Sequence, residues 1–236
     1  MRRLRTVNPV LPAESGCREG LAYTLWLPET PASAGILVLH GAGSCKESHY
    51  DFARAALPLG FAALTFDQRG HGESEGPMDR RVLEDVESMA GLLRERLGEP
   101  ARIALRGSSM GGYLAIIAAG ACGARGVVAI CPAPAEGLRR ALHAGALSFD
   151  ADRGQLDDVL AEHDLEPAVE QLEVPLLLLH AEGDEQVPVQ HSRELAEHMH
   201  VTGSRLIAVP GGHHRSIQHD GEIQAFSLRW LQKALS

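Results

Sequence analysis

Six short apolar runs recur along the chain, and segments with helical spacing separate most of them. The runs cover residues 36–39, 61–66, 102–105, 126–131, 175–180 and 205–209. Continuous apolar runs of this length are typical of strands buried on both faces, and strands that alternate with helices form mostly parallel sheets. The pattern therefore predicts the α/β class, with a mostly parallel central sheet and helices on both faces.

One earlier strand and one insertion modify this pattern. Residues 21–27 alternate loosely and contain Tyr23 and Trp26, which predicts an antiparallel strand at the start of the sheet. Residues 134–165 are rich in charges and alanines with helical spacing, so we expect a small cap insertion of two short helices there. Because no repeat, low-complexity tract or linker divides the sequence, we predict one domain over residues 1–236.

Local signals also predict where three helices begin. Ser44 with Glu47 fits a capping box and predicts a helix over about residues 45–57. Asp79 is the predicted N-cap of the helix before the serine turn, and Asp220 of the final helix.

The most distinctive turn in the sequence surrounds Ser109. Gly107, Ser109 and Gly111 form a G-x-S-x-G pattern between a predicted strand and a predicted helix. Such a turn is strained and needs residues without bulk on both sides of the serine. The backbone N–H groups that open the following helix point toward negative charge that develops near the serine. On its own this pattern is compatible with a nucleophile or with an ordinary capping serine.

Polar residues follow the predicted strands at other points of the chain. In a parallel sheet the carboxyl ends of the strands share one edge, where ligands bind. Ser109, Asp184 and His214 each follow a predicted strand, in the order serine, acid, histidine. A serine hydroxyl needs a base to become a nucleophile, and that base is usually a histidine oriented by a carboxylate. The three residues therefore predict a catalytic triad.

The sequence resembles the α/β-hydrolase family over nearly its whole length, including its serine esterase, dienelactone hydrolase-like and prolyl oligopeptidase-like branches. The motifs that carry the resemblance are HGAG at 40–43, DQRGHGES at 67–74, GSSMGG at 107–112, HAEGDEQVP at 180–188 and GGHH at 211–214. The resemblance implies that the backbone N–H groups of Ala42 and Met110 form the oxyanion hole. It also implies a structural His40 and an ion pair that holds the loop of Asp67, Arg69 and His71.

Two departures from the family pattern leave alternatives open. Ala181 stands where the family usually has glycine before the aspartate, and Glu182 or Glu185 could replace Asp184 as the acid. The last motif contains two adjacent histidines. Counting from its glycines selects His214, and His213 is the alternative base.

Charge and composition exclude several kinds of partner. The formal net charge is −9, so the chain lacks the basic surface that nucleic acid binding needs, and Arg2, Arg3 and Arg5 make only a small basic start. We expect neither a membrane span nor a signal peptide. Four widely spaced cysteines without a C-x-x-C pair favour a reducing, cytoplasmic setting. We expect no cofactor and no metal.

The predicted function is hydrolysis of small to medium carboxylic esters through an acyl-enzyme, with a small-molecule acyl substrate. A peptidase, acylaminoacyl or thioester hydrolase of the same mechanism is the alternative within this class. A ligand-binding protein with the same fold and no turnover is the alternative from another class. The sequence predicts neither the physiological substrate nor the oligomeric state.

Overall fold

A computed structural model describes residues 10–32 and 34–236. Arg2, Arg3 and Arg5 lie outside these residues. Eight strands are present in the described residues: β1 Glu14–Arg18, β2 Leu21–Trp26, β3 Ala34–Leu39, β4 Phe61–Phe66, β5 Ile103–Ser108, β6 Val127–Ile130, β7 Leu176–Ala181 and β8 Arg205–Val209. The helices are α1 Tyr50–Ala56, α2 Val82–Leu97, α3 Met110–Ile117, α4 Ala135–His143, α5 Arg153–Glu162, α6 Leu165–Glu170, α7 Val189–Glu197 and α8 Gly221–Ala234.

The strands form one sheet in the order β1-β2-β4-β3-β5-β6-β7-β8. Strands β3 to β8 run parallel, whereas β2 pairs antiparallel with both β1 and β4. This confirms the predicted α/β class and the antiparallel strand at residues 21–27. The strand β1 was not predicted, because its residues are mostly exposed and carry no apolar run.

Two apolar layers cover the two faces of the sheet. One layer joins residues of α2, α3, α4 and α5 to the sheet and includes the fully buried Leu105 of β5. The other joins α1 and α8 to the opposite face through Phe52 and Leu228. Burial on both faces explains why the central strands are continuous apolar runs. No helix among the described residues is both long enough and apolar enough to cross a membrane.

Two of the predicted helix caps are wrong, although the helical segment expected over about residues 45–57 is present. The segment after Ser44 begins as a 3-10 helix, Lys46–His49, and α1 starts only at Tyr50. The Ser44 hydroxyl donates to Ser48 Oγ at 3.0 Å, so it does not cap a helix. Asp79 likewise lies before α2, where its Oδ1 accepts the N–H of Arg81 at 2.9 Å and the Arg81 guanidinium. Both side chains hydrogen-bond to nearby residues without capping a helix. Sequence spacing alone does not distinguish such local bonds from N-caps.

Asp220 is the N-cap of α8, as predicted. Its Oδ1 accepts the backbone N–H groups of Glu222 and Ile223 at 2.9 and 3.0 Å. The two short helices α4 and α5 lie within residues 134–165.

Candidate active site

Ser109 lies at the sharp turn between β5 and α3. Its φ of 55° and ψ of −119° are in a region that non-glycine residues rarely adopt. The turn requires glycine on both sides, because a Cβ at Gly107 would overlap the backbone of Gly111, and one at Gly111 would overlap Leu39. Strained backbone of this kind persists only where the surroundings fix it, and it clusters at functional sites.

Asp184 follows β7 and holds His214 through a short hydrogen bond. His214 Nδ1 lies 2.6 Å from Asp184 Oδ2, and both residues are buried. The other carboxylate oxygen accepts the backbone N–H groups of Gln186 and Val187, each at 2.9 Å. Burial alone would raise the pKa of Asp184, but these hydrogen bonds from Val187, His214 and Gln186 lower it below its ordinary value. The ionised carboxylate therefore accepts a hydrogen bond from Nδ1–H, which leaves Nε2 of His214 as the basic nitrogen.

Ser109 and His214 line the same cavity, which has a volume of about 150 Å³. In the described part of the chain, the His214 side chain hydrogen-bonds to Asp184 and not to Ser109. Contacts between a nucleophile and its base are often loose without substrate and tighten in the complex. The structure thus places Ser109 and His214 of the predicted triad at one cavity, and Asp184 is hydrogen-bonded to His214.

The alternative acids and the alternative base point elsewhere. Glu182 Oε1 pairs with Arg193 at 2.9 Å on the surface, and Glu185 is exposed. His213 is also exposed, and its backbone N–H and C=O exchange hydrogen bonds with the Ser216 hydroxyl at 2.9 and 2.8 Å. The geometry therefore favours Asp184 and His214.

Two neutral histidines fix the loop that carries Ala42. His40 Nε2 accepts the N–H of Gln68 at 3.0 Å, and its Nδ1 donates to Gly41 O at 2.8 Å. His71 Nε2 accepts the N–H of Gly43 at 3.0 Å. Burial lowers the pKa of His40 to about 4, and burial also lowers the pKa of His71. Both rings can therefore act as acceptors for backbone N–H groups at neutral pH.

Ala42 lines the cavity beside Ser109, and Met110 opens α3 directly after it. Both backbones therefore lie next to Ser109, where the resemblance implies an oxyanion hole. A glycine at position 41 lets this loop approach Ser109 closely, because a Cβ there would lie only 3.2 Å from Ser109 Cβ.

Buried ion pairs brace the loop at residues 67–74, but their partners differ from expectation. Lys46 Nζ pairs with Asp67 at 2.8 Å, and the Lys46 N–H donates to the same carboxylate at 2.7 Å. Arg69 pairs with Asp85 of α2 at 2.9 Å. Lys46 and Asp85 were missed by sequence reasoning, because nothing in their local pattern shows which distant charge they meet.

Cys131 is a further residue that the sequence did not single out. Its Sγ, a ring nitrogen of His214 and a carboxylate oxygen of Asp184 lie within 4.8 Å of one another. Burial raises the pKa of the thiol, so Cys131 is protonated at neutral pH. Its φ of 44° also places it in the left-handed region. In the sequence, only its position directly after the central strand β6 could have indicated that Cys131 lies at this site.

The parallel sheet, the strained serine turn and the Asp–His pair at the carboxyl edge define an α/β hydrolase. A family described as serine aminopeptidase, S33, matches residues 30–149. The chain therefore belongs to this family of α/β hydrolases.

Individual proteins are also similar in sequence. The uncharacterized protein YfhR of Escherichia coli O157:H7 is 29% identical over 215 residues, which are 86% of this chain and 67% of YfhR. The monoglyceride lipase of Homo sapiens is 35% identical over 103 residues, 40% of this chain and 32% of the lipase.

Solved structures share the fold at low sequence identity. Est1E from Butyrivibrio proteoclasticus, solved with bound ferulic acid, has a TM-score of 0.74 at 19% identity, covering 94% of this chain and 98% of Est1E. The monoacylglycerol lipase of Paleococcus ferrophilus has a TM-score of 0.69 at 22% identity, covering 91% and 98%.

Proposed function

We propose that this hydrolase cleaves small to medium carboxylic esters through an acyl-enzyme on Ser109. The observation that carries the proposal is the buried His214–Asp184 pair at 2.6 Å, which shares a cavity with the strained Ser109. A serine, a basic imidazole nitrogen and an orienting carboxylate are the three parts that acyl transfer requires.

In the proposed mechanism, Ser109 Oγ attacks the ester carbonyl carbon while His214 Nε2 takes the hydroxyl proton. The carbonyl oxygen becomes an oxyanion and accepts hydrogen bonds from the backbone N–H groups of Ala42 and Met110. The C–O bond to the alcohol then breaks, and His214 returns the proton to the departing oxygen. Water then attacks the acyl carbon while His214 takes its proton. The bond to Ser109 Oγ breaks, His214 returns the proton to Oγ, and the acid is released. Asp184 stabilises the imidazolium in both steps.

The size and lining of the cavity support small substrates. At about 150 Å³ it is smaller than the ~300–1,000 Å³ of most drug-sized ligand sites. Polar side chains such as Ser44, Gln186 and Gln218 line it. The apolar space next to Met110, between α3 and the α4–α5 segment, holds only about 10 Å³. We infer that α4 and α5 form a closed cap and that long acyl chains need this cap to move.

A fluorophosphonate probe tests the nucleophile directly. We expect one probe per chain, mapped to Ser109 by peptide mass, with labelling abolished in Ser109→Ala. Ser108→Ala is the matched control, because it removes the adjacent hydroxyl and should keep its labelling. Labelling that persists in Ser109→Ala would rule out this nucleophile.

Turnover of p-nitrophenyl esters from acetate to palmitate tests the substrate class. We expect the highest kcat/KM among the short chains, because the cavity is small. Preference for palmitate would contradict the small-site proposal. Absence of turnover at every chain length, with intact labelling of Ser109, would favour another bond type over esters.

Aminopeptidase activity is the second candidate, because the matching family is described as serine aminopeptidase. The same catalytic residues would attack an amide carbonyl. Aminoacyl p-nitroanilides and matched aminoacyl p-nitrophenyl esters separate the two activities. Amide turnover comparable to ester turnover would favour the peptidase. Tight ligand binding without turnover or labelling would favour a non-catalytic protein.

We also propose a reducing, cytoplasmic setting. Cys17, Cys45, Cys122 and Cys131 are free thiols, and two of them are buried. Equal activity before and after dithiothreitol treatment is the expected result. Activation by oxidation would contradict this setting.

A further inference from the structure

A groove of about 420 Å³ lies far from the catalytic cavity. Its walls are α8, the turn before β8 and the residue before β7. These positions are at the amino ends of parallel strands, whereas Ser109, Asp184 and His214 follow carboxyl ends. The groove and the catalytic cavity therefore open at opposite edges of the sheet. Its volume is typical of small-molecule sites.

The groove is positively charged on an acidic protein. Arg205, Arg229 and Lys233 line it, and all three are exposed. Within the described residues, no acidic side chain lines the groove, and no ion pair uses any of these three cations. The chain as a whole carries a formal net charge of −9. Three cations without counter-ions create a local positive potential that attracts an anion.

Aromatic rings form the apolar part of the same groove. Phe226 and Trp230 are four residues apart on α8 and are half-buried. Trp230 Nε1 donates to Gly203 O at 3.0 Å, so the indole is fixed in place with its polar atom already satisfied. A fixed aromatic surface beside cations suits a ligand with an apolar part next to a negative head group.

We propose that this groove binds a small amphiphilic anion, a carboxylate head group on a short apolar tail. The cations would bind the head, and Phe226 and Trp230 would contact the tail. This site is separate from ester hydrolysis and does not depend on Ser109.

Tryptophan fluorescence gives a direct test, because Trp26 is fully buried and Trp230 is the other tryptophan of the chain. Octanoate is titrated into the Ser109→Ala protein, in which turnover cannot interfere. We expect a saturable change in emission that is absent in Trp230→Phe. The double variant Arg229→Gln/Lys233→Gln should weaken the apparent affinity about three- to tenfold, the range expected for two exposed charges.

A charge-matched control uses Arg80→Gln/Arg153→Gln, which removes two exposed arginines away from the groove. This control should leave octanoate binding unchanged. Octyl phosphate should also bind, whereas octanol and octylamine should bind more weakly. Equal binding of octanol, an equal loss in the control variant, or no saturable change in emission would overturn the proposal.

An independent observation concerns Arg106, a fully buried guanidinium on β5. Its Nη2 donates to Gln218 O at 3.1 Å, and its Nη1 lies 3.3 Å from His49 Nδ1. The guanidinium also stacks over the Phe52 ring at 3.9 Å, while its Nε is buried without a partner. Within the described residues, no carboxylate forms an ion pair with it. Burial lowers the pKa of Arg106 to about 10.

A buried cation without a direct ion pair is costly, and an apolar residue of the same size would pack without that cost. Arg106 is three residues before Ser109, and Gln218 is four residues after His214 in the loop that leads to α8. His49 lies in the segment that follows residues 40–46, the oxyanion loop that carries Ala42. Arg106 therefore lies on the strand that leads to Ser109 and contacts the two segments that follow His214 and Ala42.

We infer that Arg106 is a positioning residue that sets the His214 loop against the Ser109 strand, an inference that rests on the proposed function. Arg106→Met keeps the volume and removes the hydrogen bonds. We expect it to remain folded but to lose about tenfold in kcat with little change in KM, because a misplaced base slows the chemical step. The rate of fluorophosphonate labelling should fall in parallel, and Arg106→Lys should recover part of it.

A purely structural role gives a different result. The free energy of unfolding would then fall while kcat per folded molecule stayed at the wild-type value, which would overturn the inference. A wild-type protein without hydrolase activity would instead reject the proposed function. The two failures are therefore distinguishable.

Discussion

The two loops that flank Ser109 are held in different ways. The oxyanion loop at residues 40–46 is fixed by buried side chains: His40, His71 and the Lys46–Asp67 pair all contact its backbone or its continuation. The histidine loop begins at Gly211 and Gly212, both with positive φ, and contains exposed residues such as His213. Its anchors from outside the loop include the Asp184 carboxylate and Arg106.

This difference has a physical meaning for the proposed acyl transfer. Oxyanion donors act best when they do not reorganise, so a loop braced by buried hydrogen bonds suits them. The base must approach both the nucleophile and the departing oxygen, so a loop with fewer fixed points suits it. We therefore expect substitutions in the oxyanion loop to affect stability, and substitutions in the histidine loop to affect rate.

The largest expected effect separates the two adjacent histidines. His214→Ala should lower kcat at least about a thousandfold, because the proposed nucleophile Ser109 then loses its proposed base. His213→Ala should change kcat less than about twofold, since its side chain is exposed. Initial rates on p-nitrophenyl acetate, with circular dichroism to check folding, measure both. Equal losses in the two variants would contradict the assignment.

The next effect concerns the buried Lys46–Asp67 ion pair, which stabilises the oxyanion loop. Asp67→Asn removes the anion that Lys46 meets in the interior, and we expect a loss of about 3 kcal/mol in the free energy of unfolding. Glu73 is the matched control, because it contacts the same Lys46 Nζ but is 77% exposed. Glu73→Gln should cost less than about 1 kcal/mol. Urea titrations at pH 7 compare the two. Similar losses would show that burial does not decide the value of this ion pair.

A third effect is a decrease in stability at acidic pH. His40 has a folded pKa of about 4 against 6.5 when unfolded, so below pH 6.5 the unfolded chain binds the proton more readily. The contribution of neutral His40 to the free energy of unfolding is complete above pH 6.5. About 3 kcal/mol of it is lost as the pH falls toward 4. Burial lowers the pKa of other histidines in the same direction, namely His49, His71, His180 and His191.

Urea titrations between pH 7.5 and 4 measure this dependence. His40→Gln should flatten the curve, because a glutamine can donate and accept without titrating. An unchanged slope in His40→Gln would show that His40 does not contribute.

The smallest expected effect tests the alternative acid. Glu182→Gln breaks an exposed pair with Arg193 and should cost less than about 1 kcal/mol in stability. Its kcat should stay within about twofold of wild type, whereas Asp184→Asn should lose most activity through misorientation of His214. A large loss in Glu182→Gln would reopen the choice of the acid.

Features that depend on local chemistry could be predicted from the sequence. The central strands were predictable because burial on both faces demands continuous apolar runs, and the serine turn because its glycines have no substitute. The order of Ser109, Asp184 and His214 followed from their places after strands. Lys46–Asp67, Arg106–Gln218 and the position of Cys131 beside Asp184 were not predictable. These contacts join residues that are far apart in the chain, and no local spacing records them.

The conformation of Ser109 has a consequence for how this chain can change. A φ of 55° is easily adopted by glycine and is strained for serine, so the serine that we propose as the nucleophile lowers the stability of the fold. Ser109→Gly should therefore unfold at a higher temperature than the wild type while losing its labelling, a trade-off between stability and activity within one residue. Under the proposed function, selection for stability alone would favour glycine at this turn, and selection for turnover would keep the serine.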